Sequence, residues 1–104
     1  MSDIRRVWTE NRLTVIGRKD DVALFNCSNW KRKLRARFCE QMLRLKGRSI
    51  WEFKTETPPI EFLKKLSAHW PGLVLLLDYE SMRERIKGLA KARAGELEHY
   101  KISY

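Results

Sequence analysis

Five consecutive apolar residues, Leu73 to Leu77 ("LVLLL"), follow Pro71-Gly72 and give way to Asp78. A strand presents successive side chains to opposite faces, so a run that is apolar at every position calls for cover on both sides. The run is far short of the roughly 20 residues a membrane helix needs. It reads as the central strand of a sheet. The segment before it, "TPPIEFLKKLSAHWPG", has well-marked ends. Thr57 can cap a helix and Pro58 suits a first helical turn, while Ile60, Leu63, Leu66, Ser67 and Trp70 trace one stripe that Pro71-Gly72 stops. A helix therefore delivers the chain into the central strand.

Elsewhere the pattern is clear in some places and open in others. "NRLTVIG", Asn11 to Gly17, alternates and is rich in β-branched residues, as a strand ended by Gly17 should be. In "KDDVALFNCS", Asp20 or Asp21 can cap a short helix whose inner face is Val22 and Phe25. "SIWEFKTE" sets Trp51 and Phe53 against Glu52 and Lys54, a half-buried strand. Between them, Leu34, Phe38, Met42 and Leu45 make a helical stripe, but Leu34, Ala36, Phe38 and Met42 also make one face of a strand. The tail from Arg83 to Ser103 is equally two-sided. It has helix formers interrupted by Gly88 and Gly95, or two strands about "ARAG" with Ile86, Gly88, Ala90 and Ala92 on one face and Tyr100 and Ile102 sharing a face of the partner.

At 104 residues, 43% hydrophobic and 11% aromatic, the chain can bury one core and lacks the low hydrophobicity of a disordered protein. No linker or repeat divides it, so one domain over 1–104 is expected. Cys27 and Cys39 match no zinc or redox spacing and read as two buried or half-buried thiols in a reducing compartment. The opening "MSDIRRVWTENR" has no apolar run to serve as a signal-peptide core, and the expectation is a soluble cytoplasmic protein without a membrane partner.

Charge is unevenly placed. Through Arg48 there are 13 basic against 5 acidic residues, and from Ser49 onward 9 against 8, within a net charge of +9. The densest part is "NWKRKLRARF", Asn29 to Phe38. There Lys31, Arg32, Lys33, Arg35 and Arg37 are suited to phosphate contacts and Trp30 to stacking on a base, with Trp51 and Phe53 able either to stack or to fill the core. Catalytic chemistry has less to offer. His69 and His99 belong to no ligand pattern, and no phosphate-cradling or nucleophile motif is present. Asp78, Glu80 and Glu84 near the end of the central strand are the one set that would form an acid–base pair if they gathered. No cofactor and no metal is expected.

Several of these segments together resemble the YubB-like family of ferredoxin-like domains. The likeness is carried by Thr55, Pro58, Pro59, Leu63, Leu66, Pro71, Tyr79 and Glu80, then by Ile86-x-Gly88 and Gly95-Glu96, and upstream by "NRLTVIG". Asn29-Trp30 with Lys33 is similar to the family's Asn-Trp-Gly-Thr-Lys-Trp segment, with Lys31, Arg32 and Leu34 in place of its Gly, Thr and second Trp. Glu56-Thr57 stands where the family usually has Ala-Trp. The resemblance covers 11–98 in separate pieces. It implies an α+β ferredoxin-like sandwich, an antiparallel sheet with two helices on one face and a C-terminal β-hairpin. On that plan 37–45 is a strand that turns through Lys46-Gly47-Arg48 into a strand over 50–55, and the tail is the hairpin. Proteins of this family look like cargo of plasmids, phages and other mobile elements, with no established biochemical role.

The implied sandwich covers only one sheet face, whereas Val74 and Leu76 lie opposite Leu73, Leu75 and Leu77. Either a second protomer or protein partner covers them, or the C-terminal residues fold over that face. The expectation is therefore a non-enzymatic binding or assembly module of a mobile element acting through an open face that includes Val74 and Leu76. The alternative is a nucleic-acid-binding accessory protein that uses the basic stretch 31–37, and an unrecognised enzyme is the third reading.

Overall fold

Thr9, Asn11, Leu13 and Val15 are buried and the residues between them are exposed or half-buried, the period of a strand with one covered face. The computed structural model, which describes residues 8–104, makes this strand β1 (Thr9–Ile16). The opening stretch 1–7, read above for a signal-peptide core, lies outside the described residues. From β1 the chain passes through α1 (Lys19–Asn26) and the single turn α2 (Trp30–Lys33) to β2 (Arg37–Leu45). β3 (Arg48–Thr55) returns into the gap beside β1, and α3 (Ile60–His69) carries the chain to β4 (Val74–Ser81) on the other side of β1. β5 (Ile86–Arg93) and β6 (Glu96–Ser103) then extend the sheet outward. The order is β2-β3-β1-β4-β5-β6, with every neighbouring pair antiparallel. The protein is thus α+β, a six-stranded antiparallel sheet with three helices.

Leu13 faces Trp51 on one side and Leu77 on the other, and Leu77 faces Ala90. All four are buried on the side where α1 packs against β3 and α3 packs against β4, β5 and β6. The core beneath the helices is aromatic at one end. Trp30 stacks on Phe25 at 5.6 Å and meets Trp51 and Phe53 edge-on at 5.2 and 5.5 Å, while Phe25 meets Trp70 at 5.5 Å. Asn26, at the end of α1, accepts bonds from Ser49 Oγ at 2.9 Å and Trp51 Nε1 at 3.1 Å, tying α1 to β3.

Both segments left open by periodicity are strands. The tail folds as the hairpin β5–β6 about Ala94 and Gly95, whose φ values of 50° and 84° form the two-residue turn that matches strand twist. The turn is docked on α3, with Gly95 N–H donating to the buried Ser67 Oγ at 3.0 Å. Ile86, Gly88, Ala90 and Ala92 do share a face, and it is the helix-covered one. A side chain at Gly88 would have no room, since a Cβ there would lie 2.3 Å from the Tyr79 ring laid across it.

Three local expectations need correction. α1 begins after Arg18 with no side-chain cap, and Asp20 and Asp21 sit inside its first turn, where carboxylates complement the positive end of the helix. α3 begins at Ile60 rather than at Pro58: Pro59 forces the residue before it out of helical conformation, so the second proline occupies the cap. In β2 neither apolar stripe is buried. Phe38 and Met42 are 71% and 49% exposed, because register shifts at Arg37/Glu40 and Gln41/Leu43 change the strand's phase.

Trp30→Ala is expected to lower unfolding stability by about 3–5 kcal/mol and Leu34→Ala by about 2–5 kcal/mol, against less than about 0.5 kcal/mol for the exposed Lys33→Ala. Urea denaturation of the three variants measures this ordering, and a Trp30→Ala protein as stable as Lys33→Ala would show that the aromatic cluster is not the keystone of the helical layer.

Candidate nucleic-acid interface

The basic stretch takes its shape from two apolar residues within it. Trp30 is fully buried and Leu34, one helical turn on, is 1% exposed. With that side of α2 held against the core, Arg32 and Lys33 turn outward. Lys31 lies at the margin, its Nζ 4.4 Å over the centre of the Trp51 ring, a cation–π contact. Leu34 closes the helical turn, and Arg35 follows with φ 57°, an uncommon left-handed conformation for a residue other than glycine. This reverses the chain, with Ala36 N–H donating to the Lys31 carbonyl at 2.8 Å, and puts the Arg35 guanidinium 5.2 Å over the Phe62 ring. Arg37 then opens β2.

The result is a concave surface of about 560 Å³ between α2, the start of β2 and the approach to α3. Lys31, Arg32, Arg35 and Arg37 line it together with Thr57 and Phe62, and one carboxylate, Glu56, borders it. Among the described residues none of these four cations is ion-paired with a carboxylate. Lys33 is exposed outside the concavity. Phe62, 37% exposed, was not singled out from the sequence. The available signal was its place off the stripe of Ile60, Leu63 and Leu66, which leaves a ring on the outer side of α3.

The expected stacking residues are in the wrong place for a base. Trp30 has no exposed surface, and Trp51 and Phe53 are 7% and 2% exposed on the helix-covered face. This corrects the stacking role expected of Trp30, whose ring completes the core instead. Of the two thiols expected to be buried or half-buried, Cys27 is exposed at the end of α1, and Cys39 is half-buried near the basic stretch. Burial raises its thiol pKa, an effect that the Lys31 ammonium partly offsets, so the thiolate is disfavoured.

Val74 and Leu76 lie on the other face of the sheet. Val74 is half-buried beside Ile16, and Leu76 is 36% exposed across from Thr14. No described helix packs over this face, and the C-terminal strands lengthen the sheet instead of covering it. Its centre is charged. Arg12 donates to Glu52 Oε2 from Nη2 at 2.6 Å and from Nε at 3.0 Å, and Asp78 stands across from Arg12 on β4.

Of the acidic residues near the end of β4, Asp78 and Glu80 share the open face and line one concavity, and Glu84 does not join them. Glu80 accepts a bond from the Tyr104 hydroxyl at 2.7 Å, whereas Glu84 is bonded to Ser81, whose neighbours on β4 face the other way. His99 is on the helix side, its Nε2 2.6 Å from the Tyr79 hydroxyl. Among the described residues no group of three or more His, Cys, Asp and Glu is placed to hold a metal ion, and no helix is long and apolar enough to cross a membrane.

Burial, with help from the Lys101 charge, lowers the His99 pKa below its ordinary 6.5, and burial with the Glu84 charge raises that of Tyr79. A neutral imidazole protonated on Nδ1 can accept a hydrogen bond at Nε2 from the Tyr79 hydroxyl, which keeps its proton. A depressed folded-state pKa means that the unfolded chain takes up a proton first, so this contribution to stability is present above pH 6.5 and is lost as the pH falls below it. An NMR titration should give His99 a pKa below 6.5 that rises in Lys101→Gln; a midpoint at or above 6.5 in the folded protein would overturn the assignment. Comparison with known proteins finds no family model, curated protein or solved structure that matches this chain.

Proposed function

We propose that this chain is a non-catalytic nucleic-acid-binding module that holds the phosphate backbone on the surface between α2 and β2. The observation that carries the reading is the convergence of Lys31, Arg32, Arg35 and Arg37 on one concavity without a carboxylate partner among the described residues. Phosphates entering it release counterions from the strand as they meet the cations. Arg35 and Phe62 offer a stacked pair on which an unpaired base can lie, the part first assigned to Trp30. Trp30 and Leu34 fix the backbone that presents the cations, so binding has their side chains rather than the chain itself to order.

Assembly through the open sheet face fits the geometry less well. A partner laid over Val74 and Leu76 would also desolvate Arg12, Glu52 and Asp78 at the centre of that face. The proposed architecture behind both readings is a ferredoxin-like core. β1–α1–α2–β2 and β3–α3–β4 are two interleaved split β-α-β units, and their order β2-β3-β1-β4, extended by the β5–β6 hairpin, supports that reading. The likeness to YubB-like proteins of mobile elements agrees with this plan and adds no activity to it.

Fluorescence anisotropy with labelled single-stranded DNA, duplex DNA and RNA tests the proposal. Log affinity should fall with log salt at a slope of about 3 for four phosphate contacts to a single strand, at roughly 0.7 per contact. Replacing Lys31, Arg32, Arg35 and Arg37 by Ala should remove most of that slope while the fold survives. Equal binding by the folded variant and the wild-type protein, or none by either at low salt, refutes the reading.

A further inference from the structure

The two edges of the sheet are built differently. β2, on one side, is broken by two register shifts and by a left-handed Phe38 at φ 55°, features that bend a strand and spoil it as a template for pairing. β6, on the other, keeps an unbroken register with β5 over its eight residues and contains neither proline nor glycine. Among the described residues nothing pairs with its outer side. Such an edge carries a row of backbone donors and acceptors whose natural complement is another strand. It also carries exposed apolar side chains where a dry contact can form: Tyr100 is 68% and Ile102 65% exposed, and Leu89 beside Tyr100 on β5 is 56% exposed.

We infer that β6 pairs antiparallel with β6 of a second copy of this chain, joining two six-stranded sheets into one. A two-fold axis that brings the same edge together must stand perpendicular to the sheet, so both helical layers lie on one side and both open faces on the other. Residues that meet across the axis therefore have the same parity. Side-chain charge then removes some of the registers, and cross-strand packing chooses among the rest. Centring the axis on Glu98 or on Lys101 sets like charges directly opposite one another and is disfavoured. Centring it on Tyr100 sets Tyr100 against its own copy, Glu98 against Ile102, His99 against Lys101 and Leu97 against Ser103. This register opposes no like charges and makes an aromatic cross-strand pair. It also joins Leu89, Tyr100 and Ile102 of both copies into one apolar strip, while the charged centre around Arg12 and Glu52 stays in water. The pairing thus answers the cost that weighs against covering the whole open face.

The test is sedimentation of the full chain across a concentration series at low and high salt. A monomer–dimer equilibrium that persists in strong salt is expected. Tyr100→Lys, a change at an exposed site, should raise the dimer dissociation constant by on the order of tenfold or more, with an unchanged far-ultraviolet spectrum. Register is read separately in a Cys27→Ser, Cys39→Ser background. Tyr100→Cys should give a disulfide-linked dimer under mild oxidation, whereas Glu98→Cys, displaced from its copy along the strand, should not. A protein that is monomeric at every concentration, or a dimer indifferent to Tyr100→Lys, overturns the inference. Efficient cross-linking through Glu98→Cys overturns the register.

Discussion

The burial of Trp30 is the contact on which the helical layer and the candidate site both depend. It stacks on Phe25 of α1 and meets Trp51 and Phe53 of β3, so a four-residue helix too short to persist alone is held by tertiary packing. An aromatic side chain buries roughly 150–250 Å², worth about 4–6 kcal/mol at 25 cal/mol per Å². The indole N–H has no protein partner among the described residues, which costs about 1–3 kcal/mol, so packing wins. The same geometry decides where the cations go. With Trp30 and Leu34 turned inward, the residues around them have only the outer surface left to occupy, and Arg35 must take a left-handed conformation to lead into β2.

What was legible in the sequence was legible for identifiable reasons. Leu73, Leu75 and Leu77 are buried and α3 buries Leu63, Leu66 and Ser67 from its stripe, because there periodicity and end signals agree. The cover on both sides that the apolar run called for is present on one side only, with Leu76 36% exposed on the other. β2 was not legible. Its residues carry a period distorted by two shifts of register, and a bulge leaves no mark that separates it from a helical phase. Of the five cations read from the sequence, Lys31, Arg32, Arg35 and Arg37 line one concavity and Lys33 lies outside it, while Trp30 is buried in the core. Nothing local distinguishes a tryptophan that stacks on a base from one that stacks on Phe25. Phe62 became part of the site only through the turn at Arg35, a contact between residues far apart in sequence.

The open face shows how a small number of charges can direct an apolar sheet. Arg12 and Glu52 are exposed enough, at 56% and 39% of their side chains, that their ion pair contributes little stability, at most about 1 kcal/mol. Their effect is on what can cover them. Removing such a pair from water costs several kcal/mol per ion unless the partner repays it with well-placed hydrogen bonds. An otherwise suitable patch of Ile16, Ile50, Val74 and Leu76 is thus separated from the second apolar corner at Leu89, Tyr100 and Ile102. The proposed pairing through the edge avoids that cost.

The strand order puts the two proposed surfaces at opposite limits of the molecule, since the basic concavity adjoins β2 and the free edge is β6. Pairing through β6 therefore leaves both concavities open and places them at the two ends of a doubled sheet. With strands about 4.8 Å apart, they stand roughly 50 Å from one another across the joined strands. A nucleic acid long enough to reach both would gain from the second contact without any new chemistry, because the first makes the second intramolecular. One short enough to occupy a single concavity would gain nothing. Were both proposals to hold, the edge strand, which touches no phosphate, would set the length of nucleic acid that the basic surface holds well.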